Sequence, residues 1–195
     1  TLDLLKSLEF PLAAPSANPF GYISPTSAHH VEKQLGDKID YILDGGICQV
    51  GLESTIIGFE DKQLTVYRKG GLSIEAIEEV VGKITLLENS SSNPAAPGML
   101  KSHYAPNKNM LLYKGQKLSK KSGFLSFCEI KKAVDLENQF ILSQTKDLNE
   151  AAQNLFKGLR YLDNLAIETI YIELVPDIGL GRAINDRLKR AAANE

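Results

Sequence analysis

The polar side chains best placed for binding lie in one proline-rich stretch, residues 11–26, PLAAPSANPFGYISPT. Proline fixes φ at about −65° and removes a backbone donor, so this stretch is expected to form a rigid loop. The short side chains of Ser16, Asn18 and Ser24 can then point at a polar ligand. From these residues alone, a proline-rich surface turn without a ligand is the alternative.

A second polar group lies where two β-rich segments are expected to begin and end. Residues 52–59, LESTIIGF, and 64–68, LTVYR, have the composition of strands joined by a short turn. The first begins with the polar residues 53–55, and Arg68 ends the second, before the glycines at 70–71. Because glycine permits close backbone approach and arginine offers a bidentate fork, these ends can surround a phosphate. A surface hairpin with a solvated basic end is the alternative.

A third group lies in a linker rich in Ser, Asn and Pro, residues 89–109. Within it, residues 97–106, PGMLKSHYAP, carry an ammonium, an imidazole and a phenol on Lys101, His103 and Tyr104. A passive tether has no need of these groups together, and long ordered loops of this kind are often functional. We therefore expect residues 97–106 to form a lid over a bound ligand.

Short helices and strands are expected to position the first two groups. The leucines of residues 1–10 have helical spacing, and residues 27–35 form an amphipathic helix that Thr26 can cap. Ser73 is expected to cap another helix that reaches Val81, with Ile74, Ile77 and Val81 facing inward. Short strands are expected over residues 41–43 and 83–88.

The region after the linker has the pattern of a small α/β domain. Its order of strands and helices implies a mainly parallel sheet. The turn at residues 179–181 lacks the full dinucleotide fingerprint and is expected to be a tight turn only. The expected organisation is therefore residues 1–88, a linker 89–109, and a domain 110–195. The expected strands of that domain are 110–113, 123–128, 139–142 and 169–174, and its helices are 147–165 and 181–193.

The composition is that of an ordinary globular protein, with 195 residues, 43% hydrophobic, 24% charged, and a net charge of −2. No apolar run approaches the ~18 residues that a membrane span needs, so no membrane association is expected. Cys48 and Cys128 are expected to be reduced, partly buried thiols of a cytoplasmic protein. The adjacent His29 and His30 point in different directions on a helix, so we expect solvent exposure rather than a shared metal.

The motifs PLAAPSANPFGYISPT, LDGG, GLESTII, VYRKG and PGMLKSHYAP occur in this order, and the segment GLGRAINDRLKRAA follows them at residues 179–192. In this order they resemble the Sua5/YciO/YrdC family, in its two-domain Sua5 type of threonylcarbamoyl-AMP synthases. The resemblance covers the whole chain. It implies an α/β fold, with the second half of a YrdC-like twisted sheet domain followed by a small Rossmann-like α/β domain.

The resemblance also implies a reaction. L-threonine and bicarbonate form a carbamate that attacks the α-phosphate of ATP, giving threonylcarbamoyl-AMP and pyrophosphate, with Mg²⁺ on the phosphates. A separate threonylcarbamoyl transferase complex then modifies tRNA, and no stable nucleic-acid binding by this chain is expected. No catalytic nucleophile and no protein metal ligand is implied. The implied ATP-binding residues are Ser16, Asn18, Ser24, Arg68, His103 and Tyr104, and the implied threonine-binding residues are Ala14, through its backbone, and Ser54.

One departure from the family and two alternatives stay open. The family's catalytic domain has a first half with a Lys-x-Arg motif that these 195 residues lack, so we expect the chain to belong to a longer protein and to be inactive by itself. A carbamoyltransferase with the same domain would not be expected to carry the PGMLKSHYAP linker. An RNA-binding module of the YrdC-like class is disfavoured by the net charge of −2 and the lack of basic–aromatic interleaving.

Overall fold

The structure, a computed structural model, describes residues 1–87 and 103–193. The first range holds a three-stranded sheet in the order β1-β2-β3, in which β1 is antiparallel to β2 and β2 is parallel to β3. Its elements are α1 (Leu2–Lys6), α2 (Ala28–Leu35), β1 (Ile56–Glu60), β2 (Gln63–Arg68), α3 (Ile74–Val81) and β3 (Thr85–Leu86).

The second range holds a four-stranded sheet in the order β4-β7-β5-β6, and all of its pairings are parallel. This confirms the α/β class and the parallel sheet. The domain limits at 88 and 110 stay a prediction, because most of the linker lies outside the described residues. The elements are β4 (Asn109–Leu112), β5 (Gly123–Ser126), a 3-10 turn (Leu136–Asn138), β6 (Gln139–Ile141), α4 (Leu148–Asp163), β7 (Thr169–Ile172) and α5 (Gly181–Ala191).

Helix starts follow local capping chemistry. The Ser73 hydroxyl accepts from the Ala76 amide at 3.2 Å, as predicted, and Asp147 caps α4 through the Asn149 amide at 2.7 Å. The cap expected from Thr26 is wrong, because Ser27 is the N-cap of α2. The Thr26 amide instead donates to Nδ1 of His30 at 3.1 Å.

One expected strand and several expectations about exposure are also wrong. Residues 41–43 form no strand, and two of their side chains face solvent: Tyr41 is 93% exposed and Leu43 is 63% exposed. The leucines of α1 and Val81 of α3 face solvent, and the Cys48 thiol is exposed rather than partly buried. Cys128 is partly buried and free, as expected.

The largest core lies in the second range and also includes Ile23 from the first range. α4 and α5 cover the parallel sheet with Leu155, Leu159 and Leu188, all fully buried. Ile23, from the proline-rich loop, and Tyr104, from the end of the linker, belong to the same cluster. The part of the loop around Ile23 is therefore packed into the C-terminal part of the chain. None of the helices within residues 1–87 and 103–193 is both long and apolar enough to cross a bilayer.

Candidate functional site

The second half of the proline-rich loop is held by backbone contacts. Tyr22 forms an isolated parallel bridge with Ala105, whose amide donates to the Gly21 carbonyl at 2.9 Å. Asn18 donates through its side-chain amide to the carbonyls of Pro19, at 3.0 Å, and Tyr22, at 2.9 Å. Asn18 therefore shapes the loop from within, and its contact with ATP stays a prediction.

Ser24 connects the loop to the polar residues before β1. Its hydroxyl donates to Oε1 of Glu53 at 2.8 Å, and Oε2 of Glu53 accepts from Nε of Arg187 on α5 at 3.0 Å. Burial alone would raise the pKa of the Glu53 carboxyl, but the Arg187 charge and the hydrogen bonds to the carboxylate outweigh burial and hold the pKa below its ordinary value. Glu53 is therefore a charged carboxylate with both of its oxygens engaged.

Arg187 is the centre of this cluster. Its side chain is fully buried, and Nη2 donates to the Lys69 carbonyl at 2.9 Å while Nη1 donates to Asp186 at 2.7 Å. The guanidinium lies 5.0 Å from the centre of the Tyr104 ring, within the range of a cation–π contact. Arg187 therefore joins Glu53, the end of β2 and the linker residue Tyr104.

Arg68 and Ser54 form a second pair beside this cluster. Nε and Nη2 of Arg68 donate to the Ser54 carbonyl at 3.1 and 3.0 Å, and Nη2 also reaches the Ser54 hydroxyl at 3.2 Å. Ser54 is exposed and Arg68 is half-buried. The structure thus brings together the residue predicted to bind phosphate and the residue predicted to border threonine.

His103 and Tyr104 are adjacent to the cluster, with ring centres 4.1 Å apart. Tyr104 is 1% exposed and has a φ of 64°, and it stacks on Phe156 of α4. Nδ1 of His103 is buried and has no partner within the described residues. Burial lowers the pKa of His103, the Glu53 charge opposes that shift, and nearby arginines lower the pKa further. His103 is therefore a neutral imidazole at neutral pH.

A second buried arginine, Arg160 of α4, holds the backbone on the other side of Ser24. Nε donates to the Ser24 carbonyl at 3.3 Å, and Nη2 donates to the Ile23 carbonyl and to Oε1 of Gln34, the latter at 2.9 Å. The guanidinium also lies 5.1 Å from the Tyr22 ring centre. The backbone of Ser24 is thus held directly by α4, and its side chain is linked to α5 through Glu53.

The remaining predicted residues lie at the edge of this arrangement. Ser16 is exposed and lines a cavity of about 200 Å³ together with Ser24 and Glu53. Ala14 is exposed on the same loop. Residues 97–102 of the expected lid lie outside the described residues, so the lid stays a prediction. Within the described residues, no group of three His, Cys, Asp or Glu side chains can hold a metal ion.

The sequence interpretation missed Arg160 and Arg187. Each looks like one charge among several on an amphipathic helix, and most such charges are solvated. A signal was nevertheless present, because Ile184, Arg187, Leu188 and Ala191 follow each other at spacings of three and one residue, on one helical face. An arginine within an otherwise apolar stripe indicates a buried partner of opposite charge.

Sequence models of two families match the chain. The model described as threonylcarbamoyl-AMP synthase, C-terminal domain, matches residues 72–193, and the Sua5/YciO/YrdC model, described as telomere recombination, matches residues 1–70. The threonylcarbamoyl-AMP synthase of Pyrococcus abyssi is 39% identical over 98% of this chain, and that of Bacillus subtilis is 33% identical over 98%. The chain spans about 60% of the length of these curated relatives.

Solved structures agree with the sequence comparisons. The crystal structure of P. abyssi Sua5 complexed with L-threonine matches with a TM-score of 0.80 and 35% identity, over 91% of this chain and 56% of that chain. A His/Tyr double variant of P. abyssi Sua5 matches with a TM-score of 0.77 and 32% identity, over the same shares of the two chains.

The fold and its central cluster define a mixed α/β protein in which a C-terminal parallel-sheet region holds a proline-rich loop. With the matches above, that class is the Sua5/YciO/YrdC class. Within it, the chain belongs to the threonylcarbamoyl-AMP synthase family of the two-domain Sua5 type.

Proposed function

We propose that the protein containing this chain is an L-threonylcarbamoyladenylate synthase, which joins L-threonine, bicarbonate and ATP. The observation that carries the proposal is the convergence of three predicted ligand residues on one guanidinium. Ser24 is linked to Arg187 through Glu53. Arg68 directly precedes Lys69, whose carbonyl accepts from Arg187. The Tyr104 ring lies against the guanidinium of Arg187. The reaction proposed for this cluster is inferred from the relatives named as threonylcarbamoyl-AMP synthases.

The nucleotide would lie along the loop and the end of β2. The guanidinium of Arg68 would bind the phosphates, because a planar fork matches their oxygens. The Ser24 hydroxyl donates its hydrogen bond to Glu53, so its oxygen is left to accept one, which suits a ribose hydroxyl or the adenine amino group better than a phosphate. Ser16 and Asn18 would complete this wall, with His103 and Tyr104 closing it from the linker side.

Threonine would lie beside the nucleotide. Ser54 would border it through its hydroxyl and Ala14 through its backbone. Support comes from the contact between Ser54 and Arg68, since a carbamate attacking the α-phosphate must lie next to the phosphate-binding residue. The carbamate oxygen would form the new bond to phosphorus, and pyrophosphate would leave with the electron pair of the bond that breaks.

Mg²⁺ would enter with ATP as part of the substrate. The Glu53 carboxylate is engaged by Ser24 and Arg187, and the described residues offer no three-ligand metal set, so phosphate and water oxygens would supply most of the coordination. Threonylcarbamoyl-AMP would pass to a threonylcarbamoyl transferase complex acting on tRNA. This role belongs in the cytoplasm, where ATP and tRNA are available.

The test is synthesis by the natural protein that contains this chain. Incubated with ATP, Mg²⁺, L-threonine and labelled bicarbonate, it is expected to release pyrophosphate and form a labelled adenylate in equal amounts. Omission of threonine is the control, because the carbamate cannot form without its amine. Pyrophosphate release that does not depend on threonine would contradict the proposal and indicate a different acceptor.

A further inference from the structure

The guanidinium of Arg187 is buried and hydrogen-bonded at each of its nitrogens, which indicates a specific structural role. A fully buried arginine is costly unless every part of its guanidinium is paired, since the charge loses its hydration. Here each nitrogen has a partner: Nε donates to Glu53, Nη1 to Asp186 and Nη2 to the Lys69 carbonyl. Only Asp186 is on the same helix. The other two partners lie 118 and 134 residues earlier in the chain.

The two distant partners lie at separate parts of the candidate site. Glu53 passes the contact on to the hydroxyl of Ser24 in the proline-rich loop. The Lys69 carbonyl directly follows Arg68, and the nearby Gly71 amide donates to the Glu53 carbonyl at 2.8 Å. A rigid planar fork that contacts both parts at once fixes the distance between them, which a flexible ammonium group cannot do.

We propose that Arg187 is a positioning residue that sets the loop carrying Ser24 against the strand end carrying Arg68. This inference rests on the proposed function for the identity of the ligand, since those two parts would contact opposite regions of a nucleotide. α5 would then contribute to nucleotide binding without touching the nucleotide.

Variants of the natural protein that contains this chain separate positioning from general stability. Arg187→Met removes the charge and both distant contacts. Arg187→Lys keeps a charge for Glu53 but has no second arm for the Lys69 carbonyl. Arg182→Met is the matched control, because Arg182 also lies on α5 and pairs with Glu75 of the first range at 3.1 Å, yet it forms no hydrogen bond or ion pair with Glu53 or Lys69.

The readout is hydrogen exchange at individual backbone amides. The Gly71 amide reports on the strand end, and the Cys48 amide, which donates to the Thr26 carbonyl at 3.0 Å, reports on the loop. Arg187→Met is expected to speed exchange at both amides by about tenfold or more, with smaller changes in β5 and β7. Arg187→Lys is expected to restore slow exchange at Cys48 and leave Gly71 fast. Arg182→Met is expected to change neither amide.

Two results would overturn the inference. One is equal acceleration across β5, β7 and the two reporter amides in Arg187→Met, which indicates general destabilisation. The other is unchanged exchange at both reporters.

Calorimetric titration with ATP and Mg²⁺ tests the ligand separately. Affinity is expected to fall about tenfold in Arg187→Met and to stay within about twofold in Arg182→Met. A natural protein without measurable ATP affinity would contradict the proposed function, while the exchange data would still decide the role of Arg187.

Discussion

Arg68 and Ser54 are hydrogen-bonded to each other, so a substitution at either residue affects the other. Arg68 holds the Ser54 carbonyl through two nitrogens, whereas the Ser54 hydroxyl makes only one of the contacts between them. Removal of the arginine therefore frees the serine backbone, while removal of the hydroxyl leaves the arginine largely in place. The pair is expected to be asymmetric in its energetics.

In the natural protein, Arg68→Ala is expected to weaken ATP binding about ten- to a hundredfold, because a hydrogen bond to a charged group contributes on the order of 1.5–3 kcal/mol. Ser54→Ala is expected to weaken threonine binding more than ATP binding. Since the two residues share contacts, the double variant should lose less than the sum of the single losses. Titration calorimetry with each ligand measures the affinities of the three variants. Selective loss of affinity for the same ligand in both single variants would refute the assignment.

His30 is expected to make the free energy of unfolding depend on pH, and the neighbouring His29 offers a control. Burial lowers the pKa of His30 to about 4, and repulsion from Arg160 and other nearby cations adds to the shift. The unfolded chain binds a proton near pH 6.5 and the folded chain does not, so the free energy of unfolding is expected to fall as the pH drops from about 6.5 toward 4. Below the folded pKa no further loss from this group occurs.

Chemical denaturation between pH 7 and about pH 5 checks this, a range above the ordinary titration of carboxyl groups. His30→Gln is expected to remove much of the slope. His29→Gln is expected to leave it intact, because the His29 side chain is 78% exposed. An equal slope in wild type and His30→Gln would contradict the assignment.

At the scale of elements, local signals predicted most helices and strands. Ser73 and a repeat of apolar residues are sufficient to predict α3, and the leucines of residues 147–165 are sufficient to predict α4. Both signals are local, because capping and periodicity depend on neighbours in sequence. Residues 41–43 had a strand-like composition but no pairing partner in the described residues. A strand requires a second strand, and sequence composition does not supply one. For the same reason, the partners of Ser24 could not be predicted from its neighbours.

Gly51 shows how closely one element approaches another. Its φ is 74°, and a Cβ atom there would overlap the backbone of α4 at Ala152 and Gln153. Gly51→Ala is therefore expected to lower the free energy of unfolding by about 3 kcal/mol, through backbone strain and displacement of α4 together. Denaturant unfolding followed by tyrosine fluorescence measures the change.

Gly46→Ala is the matched control, since Gly46 has a φ of 86° but open space around the added Cβ. It is expected to cost only about 1 kcal/mol, from the strained backbone. Similar losses of unfolding free energy at both positions would show that α4 moves away from the added Cβ atom without a cost in free energy.

At the scale of the whole molecule, the end of α4 holds two distant segments through one carboxylate. Oδ2 of Asp163 accepts from the Tyr22 hydroxyl at 2.6 Å and from the Asn107 side chain at 3.0 Å, and Oδ1 accepts from the Lys108 amide at 3.1 Å. Burial raises the pKa of Tyr22, and the hydrogen bond to Asp163 raises it further. The junction between the loop, the linker end and α4 therefore depends on this side chain.

Asp163→Ala is expected to lower the free energy of unfolding by about 2–4 kcal/mol, since three donors lose their acceptor. The pKa of Tyr22 is expected to fall toward its ordinary value, which a spectroscopic tyrosine titration can follow. Asp135→Ala is the control, because its ion pair with Lys120 lies at the surface at 4.0 Å and should contribute less than about 1 kcal/mol. Equal losses in the two variants would contradict the role of Asp163.

The long sequence separation of the Ser24 contacts has a consequence for synthesis of the chain. The arginine partners of Ile23, Ser24 and Glu53 follow them by 134 to 137 residues, so the loop lies far from Arg160 and Arg187 when it leaves the ribosome. Contacts across so long a segment carry a large loop-closure entropy and form late in folding. The proline-rich loop can adopt its final geometry only once α5, at the end of the chain, has been translated. A ribosome-bound nascent chain that stops before α5 would therefore present this loop without the contact that runs from Ser24 through Glu53 to Arg187.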